Sequence, residues 1–218
     1  MFLSRIFTLY PEYFPGYLNK GLFGKAMNEK IWNLETVNIR DYTFDKHKTV
    51  DDTPYGGGSG MIIKADVLAK SLDENIKEKE KIIYLSPKGK LFDHKYAKEL
   101  STEKTLNLIC GHFEGIDERI IQNRNIEEVS IGDFVLSGGE VATFVVLDAI
   151  LRFIPGVLGN ENSTQDESFE NGLLEYPQYT KPQNWEDKSV PDVLLSGDHA
   201  KIKDWRLSQS EAITRVRR

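Results

Sequence analysis

The chain has 218 residues, 39% hydrophobic and 28% charged, enough to bury one large core and ordinary for a soluble globular protein. Its net charge of −6 speaks against a general polyanion binder. No apolar run approaches the roughly 20 residues needed to cross a bilayer, and the opening MFLSRIFTLYPEYF is unlike a secretory leader.

Ser4 to Leu9 alternate as an opening strand, and PEYFPGYLNKGLFGKAMNEK reads as a short helical region. Glu35 to Arg40 suggests a second strand, with Val37 and Ile39 between polar neighbours. A long polar loop, DYTFDKHKTVDDTPYGGGSGM, follows. Its Gly56, Gly57, Gly58 and Gly60 cannot pack a core and serve as a flexible link or a backbone platform. Met61 to Leu72 can form a helix, and DENIKEKEK is a solvated face. Ile82 to Leu85 has the composition of a buried strand and ends in SPKGK. Leu106 to Cys110 is another, ending on Gly111.

The run Val129 to Leu136 reads as a further strand ending at Gly138 and Gly139. Ser137 and Glu140 have the spacing of a capping box at the start of a helix. That helix, VATFVVLDAILRFI, is apolar almost all round, so it is buried or lies in an oligomer interface. Arg152 follows Asp148 by four residues, the spacing of a surface ion pair. Beyond Pro155 and Gly156 the chain turns acidic and poor in apolar residues, as linkers do. After Gly197 it turns basic, and Ile202, Trp205, Ile213 and Val216 fall near the spacing of an amphipathic helix.

Strands alternating with helical segments imply an α/β fold with a mainly parallel sheet. Strand ends that open into glycine loops are where such sheets hold ligands, because a Cβ would block the approach to backbone. By spacing alone, structural turns explain those glycines equally well. The lone Cys110 excludes an internal disulfide and a cysteine-based zinc site, and it fits a reducing cytoplasm. No GxxxxGK[ST], GxGxxG, HExxH or paired CxxC occurs, and His47, His94, His112 and His199 are scattered. Hydride transfer, nucleotide hydrolysis and zinc hydrolysis all lose ground.

TVDDTPYGGGSGM, YLSPKG, ICGHFEGIDER, SIGDFVLSGGE, PGVLGNENS, GLLEYPQYTKP and LLSGDHAKI, taken in this order, resemble the bacterial tRNA (guanine-N1)-methyltransferase family TrmD of the SPOUT superfamily. The resemblance implies a SPOUT-type parallel sheet with a C-terminal trefoil knot, plus a small helical C-terminal domain. It divides the chain into a methyltransferase domain (1–158), a mobile acidic linker (159–173) and a helical tRNA-binding domain (174–218). It also implies a cytoplasmic homodimer with shared active sites, and neither membrane nor DNA as partner.

By the same resemblance the methyl donor is S-adenosylmethionine. Three loops would hold it: Tyr84, Leu85, Ser86, Pro87 and Gly89; Gly111, Phe113, Glu114 and Gly115; and Ile131, Gly132, Asp133, Phe134, Val135 and Leu136 with Gly138 and Gly139. Phe113 stands where the family commonly has tyrosine. Leu85, Ile131 and Leu136 would flank the adenine, and Glu114 would offset the donor's positive charge. The implied substrate is the guanine at tRNA position 37, beside the anticodon. Its N1 proton must go to a base, which the family places just before a Ser-Phe pair in the linker. Before Ser168 and Phe169 this chain has Glu167, then Asp166 one step earlier, the reverse of the usual order. Glu167 is favoured by position, with Asp166 the alternative, and Arg152 matches the arginine that stabilises charge on O6. Implied tRNA contacts are Lys46, His47, Lys48, Asp51, Gly57, Gly58 and Gly60 in the long loop, then Tyr176, Tyr179, Lys181 and His199. Mg²⁺ is a family expectation, but no ligand set identifies a metal site. The rival readings are a nucleotide-dependent oxidoreductase and a non-catalytic RNA-binding or assembly protein.

Overall fold

In the computed structural model, which describes residues 1–77, 79–159, 168–169 and 172–217, the first strand, β1 (Phe2–Thr8), is covered on both faces. It therefore reads as a nearly continuous buried run rather than the alternation expected from its sequence. Two single-turn 3-10 helices lead into α1 (Gly21–Asn28) and then β2 (Trp32–Asn38). β2 begins earlier than expected, at Trp32, and gives way at Ile39 to a 3-10 turn capped by the Asn38 side chain. The long polar loop contains β3 (Asp51–Asp52), which pairs antiparallel with β4 (Ile62–Ile63). Met61 to Ile63 therefore lead into and form a strand, and α2 starts only at Ala65 and runs to Asn75. There follow β5 (Lys81–Leu91), α3 (His94–Leu100), β6 (Thr105–Ile109), α4 (Glu118–Asn123), β7 (Glu127–Ser130) and α5 (Gly139–Leu151).

The five longer strands form one sheet, β2-β1-β6-β5-β7, with every pairing parallel. Alternate side chains feed two cores. Ile6, Ile83, Leu106 and Leu108 pack with Val146, Leu147 and Ile150 of α5 and Ala97 and Leu100 of α3. Phe7, Tyr84 and Ile109 pack on the other side with Val67, Leu68 and Leu72 of α2 and Ile120 of α4. The sheet is thus a middle layer between helices, and its C-terminal edge is left to loops.

Two expectations need correction. The strand expected over Val129 to Leu136 ends at Ser130. Both Leu85 and Lys90 pair with Val129, so β5 makes an excursion over Ser86–Gly89 just where β7 stops. Beyond it Gly132 takes φ +147°, and Phe134, Val135 and Leu136 are exposed in a loop. The capping box does not form: Gly138 is the N-cap in extended backbone, and the Glu140 side chain turns inward. On α5, Val141 is 59% and Val145 46% exposed, apolar surface of the kind that the interface alternative calls for.

The chain divides into two compact units, Met1–Glu161 and Asn162–Arg218. In the second, β8 (Asn184–Trp185) and β9 (Lys188–Ser189) form a hairpin whose turn residues Glu186 and Asp187 both have positive φ. α6 (Asp192–Leu195) and α7 (His199–Arg217) follow. α7 is less amphipathic than expected: Ile202 and Trp205 are partly covered, but Val216 is 89% exposed. The face it covers carries Ser210 and Thr214, and Thr214 Oγ1 accepts from Leu174 N at 2.8 Å. No described helix is long and apolar enough to cross a membrane.

Candidate active site

The neighbouring strands β6, β5 and β7 end side by side, and the loops after them enclose a cleft of about 310 Å³. Its lining includes Tyr84 and Leu85 just before the excursion of β5, Ser86 and Pro87 within it, and Gly111, Phe113, Glu114 and Gly115 after β6. Ile131, Gly132, Phe134, Val135, Leu136, Gly138 and Gly139 line it from the third loop. Two residues expected there do not line it. Asp133 lies outside the lining, and Gly89 serves the sheet instead, since a Cβ on it would overlap the backbone of Glu128 and Val129. Glycine at 89 lets β5 close its excursion against β7.

Tyr84 forms the buried floor. Its ring lies 2.7 Å from where a Cβ on Gly111 would sit, so this glycine lets the chain cross the ring. Burial pushes the Tyr84 phenol up, the Glu128 charge adds to the shift, and the Ile116 N–H opposes it. The turn above is held by Gly115 N donating to His112 O at 3.0 Å, with Phe113 at φ +60° and half exposed. Gly139 N donates to Gly111 O at 2.9 Å, which fastens the start of α5 to the end of β6.

The long loop reaches the same rim. Glu114 N donates to Met61 O at 2.9 Å, and Ile63 N to Gly115 O at 3.0 Å. The Glu114 side chain lies against Gly60, 2.5 Å from where a Cβ would stand. Gly60 therefore belongs to the cleft's edge, while Gly56, Gly57 and Gly58 have open space around them. Lys46, His47 and Lys48 are exposed on a turn braced by Asp45, whose carboxylate accepts from His47 N at 2.8 Å. Lys48 also pairs with Asp41 at 2.7 Å, and Asp51 lies in β3.

Arg152 follows the last turn of α5 as its C-cap, half-buried. On the same helix Asp148 accepts from the Tyr17 hydroxyl at 2.9 Å. Asp166 and Glu167 lie outside the described residues. In the second unit, the Arg206 guanidinium sits 4.8 Å from the ring centre of half-buried Tyr176, and Tyr179 meets Trp205 at 6.3 Å. Lys181 and His199 are exposed.

Sequence reasoning missed other lining residues: Lys88, His112, Ile116, Glu118, Ile121, Glu128, Ser130, Ser137 and Ala142. His112 and Ser137 sit inside the very motifs that were read for glycine. Glu118 and Ile121 belong to α4, for which the sequence reading named no element. Among the described residues no group of three carboxylates, imidazoles or thiols could hold a metal ion.

A family model described as tRNA (Guanine-1)-methyltransferase TrmD matches residues 2–218. The chain belongs to the TrmD family. One relative, named tRNA (guanine-N(1)-)-methyltransferase, from Pelagibacter ubique (strain HTCC1062), is 74% identical over 218 residues, covering 100% of this chain and 96% of that protein. Proteins of the same name from Bartonella tribocorum and Brucella canis are 55% and 51% identical over 217 residues, with 93% and 88% of their lengths covered. The match runs through all three cleft loops, so the glycine-lined strand ends belong to the TrmD-family part of the chain.

Proposed function

We propose that this chain is a tRNA (guanine-N1)-methyltransferase that moves a methyl group from S-adenosylmethionine to N1 of the guanine at position 37. The observation that carries the reading is the convergence of three strand-end loops, two of them glycine-bearing, on one cleft, in a chain matched over residues 2–218 by one family.

The cleft suits the donor by its chemistry. Leu85, Ile131 and Leu136 offer apolar contact for a flat base, and strand-end N–H and C=O groups offer edge recognition. Glu114, Glu118 and Glu128 line the same space and favour a cation. When bound, S-adenosylmethionine supplies an electrophilic methyl group on a sulfonium. Glu167, or Asp166 beside it, takes the proton from guanine N1, and such a base typically contributes ~10²–10⁴-fold. Arg152 stabilises the negative charge that then gathers on O6. Mg²⁺ finds no ligand cluster among the described residues.

The substrate base leaves the anticodon-loop stack to reach this cleft. Tyr176, Tyr179, Lys181 and His199, with Lys46, His47, Lys48 and Asp51, would read the single-stranded loop by stacking and charge. The proposed architecture follows the family: a trefoil knot around the donor loops, a linker over 159–173, a tRNA-binding domain over 174–218, and a cytoplasmic homodimer. Val141 and Val145, exposed on α5, are apolar surface that a second copy could cover.

The deciding experiment offers labelled donor and two tRNAs that differ only at the guanine beside the anticodon. Label should enter the guanine-bearing tRNA alone, and equal labelling of both would overturn the substrate. Binding distinguishes the rivals: this reading expects affinity for S-adenosylmethionine and none for NAD, an oxidoreductase the reverse, and an assembly protein neither.

A further inference from the structure

Glu140 is 4% exposed, yet it carries a carboxylate in the first turn of α5. An uncompensated charge there would be strongly unfavourable. The helix N-terminus offsets part of that cost, and two side chains from elsewhere in the sequence complete the compensation. Thr8 Oγ1, at the end of β1, donates to Oε1 at 2.7 Å. His112 Nε2 lies 2.9 Å from Oε1 and 2.8 Å from Oε2. A carboxylate only accepts, so this network assigns the imidazole proton to Nε2.

The surroundings leave the pair little freedom. The His112 ring meets Tyr10 edge-on at 5.0 Å, and Tyr10 N donates to Thr8 Oγ1 at 2.9 Å. The backbones of His112 and Gly138 are bridged, and a Cβ on Gly138 would overlap the imidazole and come within 2.7 Å of Glu140 Oε2. One carboxylate thus binds the end of β1, the turn after β6 and the start of α5. Two of those three segments are walls of the cleft, and His112 itself lines it.

We infer that Glu140 is a positioning residue for the donor: through His112 Nε2 it fixes the Gly111–Gly115 turn against the loop ending at Gly138, and so sets the width of the cleft. This rests on the methyltransferase reading. Glu140 does not line the cleft, so its loss changes how well the walls are preformed, not the chemistry between them. His112 transmits that effect.

The test uses the full chain, with donor affinity from calorimetry and steady-state rates on tRNA. E140L keeps the volume and removes every hydrogen bond. It should raise the donor Kd and KM about tenfold, with kcat at saturating donor within about twofold. E140Q, which keeps an oxygen for Thr8 and His112, should bind donor within about threefold of the unaltered chain. The double variant E140L/H112L should be no weaker than the weaker single one, because both act through one contact. If E140L does not fold, H112L alone should show the same tenfold loss.

Unchanged donor affinity in folded E140L or H112L would overturn the inference, as would a loss confined to kcat. If the unaltered chain itself failed to bind S-adenosylmethionine, the methyltransferase reading would fall first.

Discussion

A side chain at position 139 has nowhere to go. A Cβ there would lie 2.6 Å from Cys110 Cα and 2.9 Å from Gly111 N, both backbone atoms of the neighbouring loop. Gly139→Ala must push α5 away from the end of β6, a distortion costing about 1–3 kcal/mol. We expect a lower urea midpoint together with weaker donor binding, since the displaced loop walls the cleft. Cys110, next to it, is buried. Burial pushes its thiol up, the Glu140 charge adds to this, and the contact with Thr143 opposes it. It should therefore resist thiol reagents in the native protein and react only on unfolding, which a colorimetric thiol assay with and without denaturant would show. At this scale Gly111 was legible, because the apolar run that stops on it is a strand, whereas the run that stops on Gly138 and Gly139 leaves its strand at Ser130. The pairing of side chains was not. His112 and Glu140 are separated by 28 positions and follow no period, so only the fold brings them within 2.8 Å.

Among the elements, α5 is held from outside its own sequence. Tyr17 donates to Asp148, and its ring lies 5.5 Å from that of Phe144. Burial first, then the hydrogen bond and charge of Asp148, push the Tyr17 phenol up from 10.0 to about 12. A group raised on folding contributes stability that is fully present below its unfolded value and lost as pH passes its folded one. The stability difference between the unaltered chain and Y17F should therefore be constant up to about pH 10 and shrink to nothing by about pH 12, read from denaturant melts across that range. A constant difference through pH 12 would contradict this. The elements that sequence located well, β6 and the start of β5, are buried runs bounded by glycine or polar residues. Those it misplaced have physical reasons. β7 stops where its partner β5 departs, and Gly132 at φ +147° is the mark of that break in VSIGDFVL that the run's apolar composition hid. α4 is a short helix capped by the Asp117 side chain, which accepts from Arg119 N at 3.0 Å, and six residues are too few to show a period.

For the molecule as a whole, alternation of strands and helices correctly indicated a parallel sheet, since parallel neighbours need crossovers and crossovers leave their own pattern. Strand order was not legible, because it depends on which edges find one another. That order matters beyond architecture. β1 pairs with β6 from Leu3↔Thr105 onward, and Thr8 meets its carboxylate only at Glu140. On the ribosome, then, the first strand made must wait for its inner neighbour, and pairing of this range is slow to form. Stalled nascent chains should gain protection against protease by S-adenosylmethionine only once residue 140 has left the exit tunnel. On the proposed reading, every shorter chain carries the opening strand of an enzyme that cannot yet hold its donor.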